Sequence, residues 1–342
     1  MKKLLSLAMA LVMGLSMGAP VLAVGEDGGN EYSYSDETKI TIDKVIKLEN
    51  EGTEENPTVN PAETFKFVVG EGSYSSGPVA GTTAPAFDQN TFSIDIEEGV
   101  LHGSADINLP TFTAIGEYTY PITEVEGSTA GFVYNLGPNE LKITVINNKD
   151  YDPDDNDSQK FIRVVTMNGS DGDGNPIKVD AFENEFKAGS LVINKEITGN
   201  YAVYTDKFEV TVTLTPDQGK NIKKGPITVS GAVDDKGTVS DPDDEGKVTI
   251  TFKVTDGSTV TIANIPYDVS YEVTEASGAY TETMTNDGVG DIDGATQTVD
   301  IENKLDTTIE TGVNLDNLPY ILVLALVGVG LISFTVRKRV RN

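Results

Sequence analysis

The run Lys39–Leu48 alternates apolar and polar residues, as does the run Ser190–Ile197, and each places a lysine where an apolar residue belongs. Alternate residues of a strand face the same side. Ile40, Ile42 and Lys44 therefore share a face, as do Leu191, Ile193 and Lys195. The same intrusion recurs with two other residue types. Tyr120, Ile122 and Glu124 share a face in YPITE, and Tyr271, Val273 and Glu275 in YEVTE. Phe182 faces with Asn184 in FEN, and Ile301 with Asn303 in IEN. The order Lys, Glu, Asn is the same both times, and lysine to glutamate is 80 residues in each set. Charges on apolar faces must be paired or neutralised. The constraint is met by a chain that builds the same β unit twice.

The rest of the chain agrees. Short β-branched and aromatic runs alternate with clusters of Gly, Pro, Asn and Asp, and no amphipathic helix of convincing length precedes the C-terminal region. This pattern predicts an all-β chain of two tandem β-sandwich domains. The spacing places the first at 39–187 and the second at 188–304, with the boundary near Phe186–Gly189. Only ten residues separate Asn184 from Lys195, so the domains should stack end to end.

The two ends read as addresses. Lys2 and Lys3 precede an apolar run and then Val21-Leu22-Ala23, a signal-peptide pattern for residues 1–23 with cleavage after Ala23. A membrane anchor is the alternative, but the run is short and ends at small residues and Pro20. Residues 24–38, rich in Gly, Glu, Asp and Ser, read as a flexible leader. Residues 305–317 read as a linker. Leu318 to Val336 is mostly apolar and about 29 Å long as a helix, enough to span a bilayer. Arg337, Lys338, Arg339 and Arg341 follow, a basic tail at 337–342 that would stay in the cytoplasm.

Without residues 1–23 and 312–342 the chain holds 19 basic and 53 acidic residues. Such a surface repels nucleic acid and anionic membranes, so no nucleic-acid partner is expected. There is no cysteine, and an extracellular protein of this kind lacks the usual disulfide staple.

The triplets suggest a different staple. A neutral lysine amine can attack an asparagine carboxamide and expel ammonia. Burial favours neutral lysine and protonated glutamate. The carboxyl could hydrogen-bond the carboxamide oxygen or carry a proton to the leaving nitrogen. Lys44 and Lys195 are then nucleophiles, Glu124 and Glu275 the acid/base groups, and Asn184 and Asn303 the electrophiles. The reaction occurs once per domain, so the chain is not an enzyme in the sense of turnover. The alternative is that these are ordinary strand residues.

With these residues in place, the chain resembles the streptococcal pilin isopeptide-linkage family, the backbone pilins of Gram-positive bacteria. The resemblance rests on [IL]-x-I-[DN]-K, Y-x-[IV]-T-E and [FI]-E-N, each present twice, and covers almost the whole length. It implies immunoglobulin-like sandwiches related to the B-type repeats of collagen adhesins, with bonds Lys44–Asn184 and Lys195–Asn303. It also implies a sortase sorting signal before the membrane segment. Thr311-Gly312 stands there, but neither Ile309 nor Glu310 is the proline that sortase motifs usually carry before the threonine. A chain left unprocessed in the membrane is the alternative. The resemblance also implies an acceptor lysine on the last strand of the first domain, shortly before the bonding asparagine. Lys178 lies in that region, with Lys160 and Lys187 as competitors.

Other signals are weaker. Acidic clusters at 152–157, 171–175 and 241–246 read as solvated turns, since none has the ligand pattern of an EF-hand. His102 is the only histidine, so no His-based triad exists. No phosphate-binding glycine loop appears. No metal or other cofactor is expected. The reading is a structural pilus subunit of the cell surface, polymerised and joined to peptidoglycan by sortase, its partners being identical subunits. A monomeric wall-anchored adhesin binding a host or cell-surface ligand is the second reading, and a secreted enzyme a poor third.

Overall fold

The computed structural model describes residues 21–24, 30–49, 52, 57–155, 158–170, 176–179, 181–234, 237–309 and the four residues 323, 324, 326 and 327. The strands used below are β1 (Lys39–Leu48), β2 (Glu63–Val69), β3 (Thr91–Ile96), β4 (His102–Asn108), β5 (Gly116–Val125), β6 (Asn139–Asn147), β7 (Phe161–Ser170) and β8 (Ala181–Phe186). After them come β9 (Ala188–Thr198), β10 (Phe208–Pro216), β11 (Val248–Val254), β12 (Thr259–Pro266), β13 (Val269–Glu275) and β14 (Thr296–Lys304).

In the first domain one sheet runs β7-β6-β5-β2-β3, with the short strand Pro176–Lys178 on its β7 edge. The other runs β4-β1-β8 and ends on the two-residue strand Phe132–Val133. The faces follow the period of two. Phe65 and Phe67 of β2, Tyr118 and Tyr120 of β5, and Leu141 and Ile143 of β6 all point into one core. The two buried tyrosines keep their hydroxyls satisfied on the carbonyls of Ala114 and Pro85, as burial of a phenol requires.

The second domain repeats the plan. One sheet centres on β12-β9-β14 and the other on β11-β10-β13. In both domains the first and last strands lie side by side and parallel, β1 with β8 and β9 with β14. Parallel neighbours cannot be joined by a tight turn. Each pair therefore closes its domain by bringing the two ends of the unit together.

Only Lys187 separates β8 from β9. Its N–H donates to the Gly131 carbonyl, and its own carbonyl accepts from Tyr267. Gly131 has φ +81°, and a Cβ there would lie 2.5 Å from the Lys187 carbonyl oxygen, so glycine is required by both conformation and space. Further bonds cross the junction. Asn221 exchanges main-chain hydrogen bonds with Ser128 and Ala130, and the Asn264 side chain accepts from the Val59 N–H at 2.9 Å. Ala130, of the first domain, packs into the second domain's core.

Two structural observations bear on the N-terminal boundaries. Val21–Val24 pairs antiparallel with Asn30–Ser33, across the expected cleavage point and into the leader. The first domain also starts earlier than residue 39. Asp36 receives the main-chain N–H, Nε and Nη2 of Arg163, and the Thr38 carbonyl accepts from Leu109. A bidentate guanidinium–carboxylate pair is strong and directional, which is why this stretch is held despite its loop-like composition. At the other end Asn200 holds Asp306 and Thr307, so the second domain extends into the expected linker. Among the described residues no helix is long and apolar enough to cross a membrane. Residues 323, 324, 326 and 327 are helical. Residues 1–20, Thr311-Gly312, the rest of the 318–336 segment and the basic tail lie outside the described residues.

Candidate cross-link sites

The parallel pairing of terminal strands sets the position of both lysines and both asparagines. Lys44 is the Cα partner of Phe182, and Asn184 stands two residues further along β8 on the same face. Lys195 is the partner of Ile301, and Asn303 stands two residues further along β14. The glutamates come from the facing sheets, Glu124 on β5 and Glu275 on β13. Each triplet thus spans the core of its sandwich.

All six side chains are buried, with no more than 3% residue exposure for the lysines, the asparagines and Glu124, and a Glu275 side chain at 0%. In the first site Lys44 Nζ donates to Glu124 Oε2 at 2.9 Å, and Asn184 Nδ2 donates to Glu124 Oε1 at 2.5 Å. In the second, Lys195 Nζ donates to Glu275 Oε1 at 3.2 Å, and Asn303 Nδ2 donates to the same oxygen. Glu275 Oε2 lies 3.1 Å from Lys195 Nζ but out of line for a hydrogen bond.

Burial sets the protonation states. Desolvation pulls Lys44 down to about 8, although the Glu124 charge and hydrogen bond pull the other way. Lys195 is lowered for the same reason, against Glu275. Desolvation raises Glu124 and Glu275, opposed by their contacts to lysine and asparagine. A buried ion pair is expensive to maintain in such surroundings. Moving the proton from lysine to glutamate removes both charges and leaves a free amine beside a carboxamide.

Two features carry no local sequence signal. Each lysine has a phenylalanine ring against its amine: Phe65 lies 4.9 Å from Lys44 Nζ, and Phe208 lies 4.8 Å from Lys195 Nζ. Their inward position was visible from strand periodicity, but their neighbour across the core was not. The other feature concerns the carboxamide oxygen. The glutamates contact the carboxamide nitrogen, the leaving group, and not the oxygen as one option had it. Asn184 Oδ1 instead accepts the main-chain N–H of Asn135 at 2.9 Å. Asn303 Oδ1 has no hydrogen-bond partner among the described residues.

The remaining sequence candidates fall as follows. Lys178 is exposed on the edge strand Pro176–Lys178. Lys187 is tied to Glu49 and Glu185, and Lys160 lies over the Phe161 ring. The acidic turns use their carboxylates locally: Asp152 accepts from the Asp154 N–H, and Asp243 from those of Glu245 and Lys247. The 171–175 cluster lies outside the described residues.

Comparison with known proteins adds to this geometry. Residues 40–187 match the model of the Spy0128-like isopeptide containing domain, and residues 189–305 match a domain of unknown function, DUF7601. The chain is 25% identical over 254 residues to a pilin of Streptococcus pyogenes serotype M1, covering 68% of this chain and 71% of that protein. It is 27% identical over 226 residues to the pilus tip adhesin Cpa of Streptococcus pyogenes, covering 63% of this chain and 29% of that protein. The crystal structure of the major pilin from Streptococcus pyogenes matches with a TM-score of 0.50 at 17% identity, covering 80% of this chain and all of that one. The T3.2 major pilin from serotype GAS13637 of the same species gives 0.51 at 21% identity, covering 80% and 99%. At those identities the structures speak for the fold alone. Residues 40–187 thus match the Spy0128-like isopeptide containing domain, and over about two thirds of its length the chain is similar to a streptococcal pilin.

Proposed function

We propose that this chain is a pilus backbone subunit of the cell surface, stapled internally by Lys44–Asn184 and Lys195–Asn303 amide bonds. The observation that carries the proposal is the matched geometry of the two buried triplets. In both, the asparagine lies two residues beyond the lysine's partner on the adjacent parallel strand, with a carboxyl touching amine and carboxamide. A salt bridge alone would not need the asparagine, and burying it twice is costly. The chemistry runs once per site, so the protein is structural and not a turnover enzyme. Sortase would cleave between Thr311 and Gly312, join subunits through Lys178 and finally link the polymer to peptidoglycan.

The test is intact-mass analysis of residues 24–311. Each bond expels ammonia, about 17 Da, the by-product of amine attack on a carboxamide. Two such losses are expected. Glu124→Ala should abolish one and Glu275→Ala the other. A wild-type mass equal to that of the sequence overturns the reading. The likeness to a pilus tip adhesin supports a second role, a wall-anchored adhesin that is not polymerised. Subunit ladders in cell-wall extracts favour the backbone, and a single band favours the adhesin.

A further inference from the structure

We propose that the main-chain N–H of Asn135 is the oxyanion donor of the first cross-link site, and that the second site has none among the described residues, so the two bonds close at different rates. The inference rests on the isopeptide reading above. It starts from the hydrogen bond between the Asn135 N–H and Asn184 Oδ1, 2.9 Å long. An N–H can only donate, so this contact fixes which end of the Asn184 carboxamide is oxygen. The nitrogen is left facing Glu124 Oε1.

The difference between the sites has a topological cause. In the first domain the strand beside β8 is only two residues long, pairing Phe132 with Phe186 and Val133 with Glu185. The chain then leaves the ladder, and two residues beyond Val133 the N–H of Asn135 donates to the Asn184 side chain. In the second domain the strand beside β14 is Thr281–Met284, paired in register through four residues with Glu282 opposite Asn303. There the edge strand stays in the ladder past the asparagine, and Asn303 Oδ1 has no hydrogen-bond partner among the described residues.

The reaction balances around this arrangement. Neutral Lys44 Nζ attacks Cγ of Asn184, forming the C–N bond and moving the carbonyl electron pair onto Oδ1. The Asn135 N–H holds that negative charge. Glu124, protonated, gives its proton at Oε1 to Nδ2 and takes one from Nζ at Oε2. The electron pair on Oδ1 then reforms the carbonyl, the Cγ–Nδ2 bond breaks, and ammonia leaves. Glu124 ends as it began. The donor matters because the charge appears on Oδ1 only in the transition state, where a fixed N–H in a water-excluded site is most effective.

The experiment follows closure of both bonds in the full chain, diluted unreacted from denaturant, by time-sampled peptide mass mapping. The wild-type first bond should form faster than the second. Asn135→Pro removes the N–H, and should slow the first bond by about a hundredfold, the usual cost of one lost oxyanion donor. The second bond is the clock within the same molecule and should not change. Asn135→Ala keeps the N–H and should keep the rate. Replacing the amide at residue 135 by an ester removes the N–H without a ring, and decides the matter if the proline variant does not fold. First-bond closure at the wild-type rate in the ester chain overturns the donor role. Absence of ammonia loss at both sites of the wild-type chain overturns the isopeptide reading instead.

Discussion

Asn184 lies beside Lys44 because β8 runs parallel to β1 with Phe182 opposite the lysine, which leaves the asparagine one inward position further on. Asn303 bears the same relation to Lys195. A covalent bond between these positions ties the first strand of a sandwich to its last. It forbids the strand separation with which unfolding of such a domain would begin.

The first prediction concerns that constraint. In the chain-entropy treatment of cross-links, closing the loop from residue 195 to residue 303 contributes about 5 kcal/mol, with the reservations that attach to the treatment for disulfides. Asn303→Ala should lower the melting temperature of the second domain by on the order of 20 °C. Protease resistance should fall in residues 188–307 and persist in the first domain. Unchanged melting and digestion would show that the Lys195 site forms no bond.

Much of this arrangement is legible in the sequence, and the part that is not has a physical reason. Strand periodicity alone puts Lys44, Glu124 and Asn184 on inward faces, and their burial follows. The two-residue offset between Lys44 and Asn184 is a register between strands at opposite ends of the domain, which no local pattern encodes. The Asn135 contact is made by a main-chain N–H, which every residue except proline possesses, so it leaves no mark in residue type. Asp36 sat in a polar run that reads as leader. Its partner Arg163 is 127 residues away and known only from the fold.

The second prediction is a bell-shaped pH dependence of bond formation at the first site. The reactive pair holds one proton between Lys44 and Glu124. At low pH it holds two, and the amine is not a nucleophile. At high pH it holds none, and no acid remains for the leaving nitrogen. Burial brings Lys44 down to about 8, so the rate should fall as pH rises through about 8. Glu124 is raised above its ordinary 4.5 by burial, so the acid limb should lie above that value. Refolding unreacted chain across this range and quenching for mass analysis measures both limbs. A rate that climbs steadily to pH 10 would contradict the shared-proton pair.

The third prediction tests the aromatic wall. Phe65 is buried with its ring 4.9 Å from the buried Lys44 amine, and burial keeps that amine readily deprotonated. Phe65→Leu preserves an apolar core at a cost of about 1–1.5 kcal/mol but opens the site. At pH 7 the first bond should form about three- to tenfold more slowly, with its optimum displaced to higher pH. The second bond, walled by Phe208, should be unaffected. An unshifted optimum would assign the ring to packing alone.

The fourth prediction joins the subunit to its neighbour. Lys178 is exposed on an edge strand of the first domain, whereas Lys187 is occupied by two carboxylates and Lys160 covers a ring. With Thr311 as donor, tension entering at Lys178 runs along β8 and β9 to Lys195. It would cross the proposed Lys195–Asn303 bond and leave through β14 past Thr307, which Asn200 holds to the domain. In the proposed polymer the second bond would lie on the load path, and the first would brace the domain from which the load departs. Peptide mapping of high-mass wall material should recover a branched peptide joining Thr311 to Lys178. Lys178→Arg should collapse the ladder to monomer, since a guanidinium does not act as acceptor. Pulled between residues 178 and 311, the wild-type subunit should lengthen little, while Asn303→Ala should release most of residues 196–302. A ladder that survives Lys178→Arg would move the acceptor to another lysine and the load path with it.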